Sequence, residues 1–240
     1  MFVGVWWKRL SVRLVVAALL FASVDAATAQ VRSLGGPTAI PLGVTPLPVT
    51  RFCRQRARRG KFAVLCPTRY PRTPSSDTTA SGSSLLGPSF YWVSFNDATG
   101  FDDGDNGHLI LGGQRPPFSL MGSPGQIWPR PGQPHSVEQL PLPRLLTTPG
   151  QGGRRFVAQR PARILGRARV RAQDALILVA PPYPEGGLMG GHVIVLWNRQ
   201  RHGYMLSFHF GGSANGHDYT LAERIAAALA VARSFAPVAR

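Results

Sequence analysis

The chain has 240 residues, 44% of them hydrophobic and only 16% charged, a composition that supports a packed core and excludes wholesale disorder. Its 27 glycines and 22 prolines follow no three-residue period, which excludes collagen and implies long irregular connections. The net charge of +16 rests on 27 basic residues, of which only Lys8 and Lys61 are lysines. Such a balance suits anionic partners.

Residues 1–29 have the order of a secretory signal. Lys8, Arg9 and Arg13 precede an eleven-residue apolar run, Leu14 to Val24, and Ala27-Thr28-Ala29 supplies the small-x-small pattern of a signal-peptidase site. The run is shorter than the ~20 residues that span a bilayer. The alternative is an uncleaved membrane anchor. Cleavage leaves a chain starting at Gln30, with a net charge of +14 and no membrane span. The expected location is extracellular or associated with the cell envelope.

Export gives Cys53 and Cys66, the two cysteines of the chain, a structural role. An oxidising compartment favours joining them, and their spacing does not suit a Cys-x-x-Cys redox or zinc motif. The closed loop holds most of a first basic cluster: Arg51, Arg54, Arg56, Arg58, Arg59 and Lys61. A second contains Arg154, Arg155, Arg160, Arg163, Arg167, Arg169 and Arg171. Both read as solvated basic surface or as attraction to an anionic cell surface. Nucleic acid is disfavoured because no recognisable binding motif accompanies them.

Before the first cluster, residues 30–50 carry Pro37, Pro41, Pro46 and Pro48 and read as an extended leader, followed by one domain over 51–240. Phe62 to Cys66 is a short strand. Residues 67–89 form a long loop, with Pro, Ser, Thr or Gly at 13 of the 18 positions 67–84. Phe90 to Phe95 and His108 to Leu111 pair as a hairpin. Residues 114–153, with nine prolines and six glycines, form a second long loop. Arg163 to Arg171 alternates weakly, and Ala175 to Ala180 is a continuous apolar run fit for a buried strand.

The last third predicts a strand His192–Trp197, a six-residue turn Asn198–Gly203 and a returning strand Tyr204–Phe210. Symmetric pairing sets Trp197 opposite Tyr204, Val195 opposite Leu206 and Val193 opposite Phe208, all on one face. The cover is a helix opened by the capping box Thr220-Leu-Ala-Glu223. In it Leu221, Ile225, Leu229 and Ala232 recur at helical spacing, and Pro237 stops it. The expected class is α+β: an antiparallel sheet covered on one face by a C-terminal helix, with long Pro/Gly-rich loops.

Residues 192–236 resemble the closing segment of secreted bacterial domains of unknown function, including extracytoplasmic domains attached to anti-sigma factors. The resemblance rests on Trp197, Tyr204, Ser207, Ala232 and Ser234. It implies a sheet-plus-helix fold and carries over no catalytic residues.

No constellation declares an active site or a cofactor. Gly211-Gly-Ser213-Ala-Asn215 departs from a nucleophile elbow at the second glycine. Ser207 and His209, two apart on a strand, are separated by roughly 6.7 Å and too distant for a general-base pair. Asp97, Asp102, Asp103 and Asp105 miss the calcium-loop register and read as a turn. The loop Pro181–Gly191 leads into a strand, where a phosphate cradle needs a helix. The remaining candidates are His192 and His209, set opposite each other by the hairpin register, with Ser207 beside them. They read as a polar ligand floor, as a stabilising pair on a partly solvated sheet face, or as two zinc ligands completed by His108 or His217.

These features describe a secreted or envelope binding or structural module with a basic surface. Its expected partner is an anionic envelope polymer or another envelope protein. A secreted hydrolase with a dispersed active site is the alternative. Intact-mass analysis of exported protein should find Gln30 at the mature amino terminus.

Overall fold

Three stretches near the carboxyl end, Ala175–Leu178, Val193–Trp197 and Tyr204–Phe208, are apolar at nearly every position. Successive strand residues point to opposite faces, so such strands must be covered on both sides. A computed structural model shows how. It describes residues 40–59, 63–71, 84–86, 90–96, 108–115, 117–128, 162–182, 190–209 and 219–238.

The elements, in chain order, are β1 (Leu42–Val44), α1 (Leu47–Arg59), β2 (Leu65–Cys66), β3 (Arg69–Pro71), β4 (Ser84–Leu86), β5 (Phe90–Asn96) and β6 (His108–Gln114). They continue with β7 (Ile127–Trp128), β8 (Ala162–Val170), β9 (Gln173–Val179), β10 (Val193–Arg199), β11 (His202–His209), α2 (Leu221–Arg233) and β12 (Ala236–Pro237). Among the described residues, eight strands form one antiparallel sheet in the order β4-β5-β6-β11-β10-β9-β8-β7. Two small ladders, β1 with β3 and β12 with β2, lie apart from it. The α+β class stands.

One face of the sheet carries Tyr91, Val93, Leu109, Leu111, Ile177, Val193, Val195, Trp197, Tyr204, Leu206 and Phe208. It packs with both helices into a single core. The capping box forms as expected: Thr220 accepts from the Glu223 amide, and the Glu223 carboxylate accepts from the Thr220 amide. Ile225, Leu229 and Ala232 are buried on the sheet. Phe235, just beyond the helix, meets the Trp197 ring edge-on at a centroid distance of 5.0 Å.

The opposite face is a second core, not a partly solvated surface. Trp92, Ile110, Leu176, Leu178, Ile194, Leu196 and Met205 are buried there with Phe118 and Ala162. The expectation of a half-wet face fails because every second residue of the central strands is also apolar. Residues 117–128, inside the stretch read as a long loop, contribute to the cover. Phe118 and Leu120 pack on this face, and β7 adds the last strand through Ile127↔Arg163 and Trp128↔Ala162.

Side-chain hydrogen bonds hold this strap. The Asn198 amide accepts from the Phe118 N–H at 2.9 Å and donates to the Phe118 carbonyl at 2.7 Å. Arg167 donates to the carbonyls of Leu120 and Gly122. Gly203 is required beneath it, since a Cβ there would lie 2.6 Å from the Phe118 ring and 2.9 Å from its backbone nitrogen.

The weak alternation of the second arginine cluster has a structural cause. The β8–β9 register shifts between Ile164 and Gly166, so a bulge flips the strand. Ile164 belongs to one core and Ala168 and Val170 to the other. The arginines flanking the bulge therefore do not form one stripe.

Two boundaries differ from expectation. The leader ending at residue 50 cuts into α1, which starts at Leu47, while Leu42–Val44 is already paired with β3. Pro46 and Pro48 do not prevent the helix, because the first turn needs no N–H donors from them. The turn between β10 and β11 is two residues, Gln200 and Arg201, with Gln200 at φ 56°. It shares its centre with the expected six-residue turn, so the pairing Trp197↔Tyr204, Val195↔Leu206 and Val193↔Phe208 is as expected. The β5–β6 hairpin also forms, with Phe95↔Leu109 and Val93↔Leu111.

Cys53 and Cys66 are bonded, with Cα atoms 6.0 Å apart, tying α1 to β2. Cys66→Ser should cost about 3 kcal/mol, from the loop closed. Gly203→Ala should cost about 1–3 kcal/mol by overpacking against Phe118. Urea denaturation of each variant measures both.

Candidate functional site

The hairpin register carries one residue past Val193↔Phe208 and brings His192 beside His209. Their ring centroids are 5.0 Å apart with planes inclined by 66°. Both residues fall on the second face, because Ile194 and Met205, which share their strand parity, belong to that core.

Ser207 is next to them, but its partner is His192. The Ser207 hydroxyl and His192 Nδ1 are hydrogen-bonded at 2.7 Å. Ser207 pairs with Ile194 across the ladder, so His192 is its diagonal neighbour, within reach of a ring. Counting along one strand excluded Ser207 with His209 and overlooked this cross-strand pair. Both residues have 0% exposure, so the hydroxyl is sealed from any substrate. The pair is an internal hydrogen bond satisfying two buried polar groups.

His209 lies at the margin of the same face and is half-buried. Its Nδ1–H donates to the Gly190 carbonyl at 3.2 Å. Burial lowers its pKa, the Gly190 hydrogen bond opposes that, and the Arg224 charge adds to the lowering. Arg224 itself donates to the Gly191 carbonyl. The short turn entering β10 is thus held from both sides, by a helix arginine and a strand histidine.

His108 stands opposite His209 in the β6–β11 ladder. His217, the aspartates Asp97, Asp102, Asp103 and Asp105, and the segment 211–215 with Ser213 lie outside the described residues, as does most of the loop 181–191. No group of three or more His, Cys, Asp or Glu side chains poised to hold a metal occurs among the described side chains.

A buried histidine the sequence reading did not single out is His202, which accepts at Nε2 from Arg115 Nε at 3.3 Å. Burial, then the Arg115 charge, lowers its pKa. Tyr204 is pushed up to about 12 by burial, and its hydroxyl donates to the Ala63 carbonyl at 2.7 Å. These groups sustain the fold.

A second region is an open groove beside α1. The helix docks through Val49, Cys53 and Ala57, one residue per turn. On an adjacent stripe, Thr50, Arg54 and Arg58 recur at i, i+4 and i+8 and form one wall. Val44, Thr45, Pro67 and Thr68 continue the lining, and Ala236–Val238 form the far side of a cavity of about 590 Å³. The disulfide lies beneath it, since Cys66 is also in the lining.

The described arginines differ in how they are held. Arg56, Arg167, Arg171, Arg224 and Arg233 each donate to backbone carbonyls. Arg169 pairs with Asp174 at 2.8 Å. Arg54 and Arg58 have no hydrogen-bond or ion-pair partner among the described residues, and α1 contains no acidic residue. Among the described residues, no acidic side chain compensates the positive charge of this groove wall.

Comparison with known proteins found no matching family model, no matching curated protein and no matching solved structure.

His202 and His209 predict a pH dependence. Each has a folded pKa below its ordinary value near 6.5, so the unfolded chain binds protons more readily than the native one. Stability from this source is complete above about pH 6.5. It is lost progressively as pH falls from there through the folded values. The urea midpoint should drop on acidification from neutral pH, and the drop should shrink in His209→Gln.

Proposed function

We propose that this protein is a secreted or envelope-associated binding module whose α1 groove takes an anionic envelope polymer. The observation that carries the reading is the pair Arg54 and Arg58, one helical turn apart on a cavity wall and without a hydrogen-bond or ion-pair partner among the described residues. Guanidinium groups bind carboxylate and phosphate oxygens in a planar, two-point geometry. A pair about one helical turn, 5.4 Å, apart suits successive charges along an extended chain.

The surroundings support the same reading. Thr45, Thr50 and Thr68 add hydroxyl-bearing residues to the lining, and Val44 is 85% exposed at its margin. The acidic residues among the described ones are Asp174 and Glu223. Asp174 is paired with Arg169 and Glu223 is occupied by the capping box. Neither lines the groove. The resemblance of residues 192–236 to secreted domains of unknown function accords with an exported module, and the disulfide with an oxidising compartment. No helix among the described residues is long and apolar enough to cross a membrane.

The test uses polygalacturonate as a soluble carboxylate-rich polymer and neutral dextran as control. The protein should bind the first and not the second, more weakly as salt rises. Arg54→Glu with Arg58→Glu should reduce affinity at least about tenfold at unchanged thermal stability, since these side chains form no bonds among the described residues. Equal binding by the double variant, or binding insensitive to salt, overturns the reading.

A further inference from the structure

The carboxyl end of α2 gathers more arginine than a helix end needs. Arg233 closes the helix and donates from Nε to the Arg169 carbonyl at 3.0 Å, while Arg171 donates from Nε to the Arg233 carbonyl at 3.1 Å. One guanidinium suffices to satisfy the last carbonyls and the negative end of the helix dipole. Here two are laced to neighbouring backbone, and both residues are exposed. Each is anchored through Nε alone. Among the described residues nothing pairs with its Nη1 and Nη2, the outer donors with which a guanidinium grips an oxyanion.

A third arginine reaches this end from β3. The Arg69 amide donates to the Ser234 hydroxyl oxygen at 3.1 Å, just past α2. The β1–β3 ladder pairs Arg69 with Val44, and directly opposite residues project from the same face. Val44 lines the α1 groove and is 85% exposed. Arg69, itself exposed, therefore stands at the groove's margin, and its guanidinium has no partner among the described residues.

The groove and the helix end are joined. Thr68, in the groove lining, donates from its amide at 3.3 Å and from its hydroxyl at 3.1 Å to the Ser234 carbonyl. Ala236, two residues beyond Ser234, begins the far wall. A path along this surface runs from Arg58 and Arg54 past Thr68 and Arg69 to Arg233 and Arg171. Asp174, the acid of β9, is occupied by Arg169. Like charges gathered in this way repel one another, and a bound chain of opposite charge relieves the repulsion.

We propose that a linear polyanion seated in the α1 groove continues past Thr68 onto Arg69, Arg233 and Arg171, so that the protein holds the interior of a long chain and discriminates against short fragments. The proposal rests on the groove reading and adds chain length as the determinant of affinity. A chain already held in the groove presents its next charges to the helix end at high effective concentration, and contacts linked in this way multiply.

The experiment measures binding of the mature protein to polygalacturonate and to trigalacturonate at equal uronate concentration, which removes the statistical advantage of the polymer. The polymer should bind at least about tenfold more tightly than the trimer. Arg69→Gln with Arg171→Asn removes two of the charges, and asparagine tolerates the φ of 55° at position 171. This double variant should lose most of the polymer's advantage, bind the trimer as the parent does, and keep the parent's far-ultraviolet dichroism. Equal affinity of the parent for polymer and trimer, or an undiminished polymer advantage in the double variant, overturns the extension. Neither result touches the groove reading, which the Arg54 and Arg58 substitutions test separately; binding of neither ligand by the parent overturns both. Should Arg171→Asn disturb the fold, Arg69→Gln alone decides, with an expected loss of polymer affinity of about threefold.

Discussion

The central strands β9, β10 and β11 are apolar on both faces, and most of the architecture follows from that constraint. Leu176, Leu178, Ile194, Leu196 and Met205 on one side, with Ile177, Val193, Val195, Leu206 and Phe208 on the other, are each 1% exposed or less. Burying an aliphatic or aromatic side chain contributes roughly 1.5–3 kcal/mol. A sheet with both faces loaded in this way cannot stand half-covered. Helices α1 and α2 pack on one side. The other is closed in part by an irregular strap, which has no repeating hydrogen-bond pattern of its own.

That strap explains where many of the arginines go. An irregular segment laid over a core brings carbonyl groups that no ladder or helix satisfies, and leaving them unpaired is costly. Asn198 closes on Phe118, and Arg167 reaches Leu120 and Gly122. The same device recurs elsewhere. Arg171 donates to the Arg233 carbonyl and Arg233 to the Arg169 carbonyl, tying the end of β8 to the end of α2, and Arg56 donates to the Phe90 carbonyl. A guanidinium carries five N–H donors on a flexible stem, which makes it an effective fastener for a chain rich in glycine and proline. Against this background Arg54 and Arg58 stand apart from Arg56 on the same helix, because they fasten nothing among the described residues. Net charge alone could not have separated the two sets.

The disulfide couples the groove to the core. Cys53 is the middle member of the buried α1 stripe, and Cys66 sits in β2, which pairs with β12 just beyond α2. The bond therefore holds the arginine stripe at a set distance from the chain segment forming the opposite wall. Like charges on α1 repel one another, and the cross-link resists the unfolding that would relieve this.

The amino-acid sequence by itself determined the features that depend on neighbours in the chain. The β10–β11 register, the capped helix α2, the β5–β6 hairpin and the Cys53–Cys66 pair were all legible. Alternation, capping residues and a single cysteine pair are local or combinatorially forced signals. The tertiary structure decided what depends on distant partners. Helix α1 was obscured by Pro46 and Pro48 and by its arginines, because its narrow buried stripe becomes apparent only against β2 and the core. The closure of the second face was written in the unbroken apolar runs of β9 and β10, yet the identity of Phe118 and Leu120 as part of its cover was not, since a proline-rich segment carries no periodicity. The Ser207–His192 bond, 2.7 Å long, likewise arises from diagonal contact between strands. Neither spacing along the chain nor composition encodes that distance.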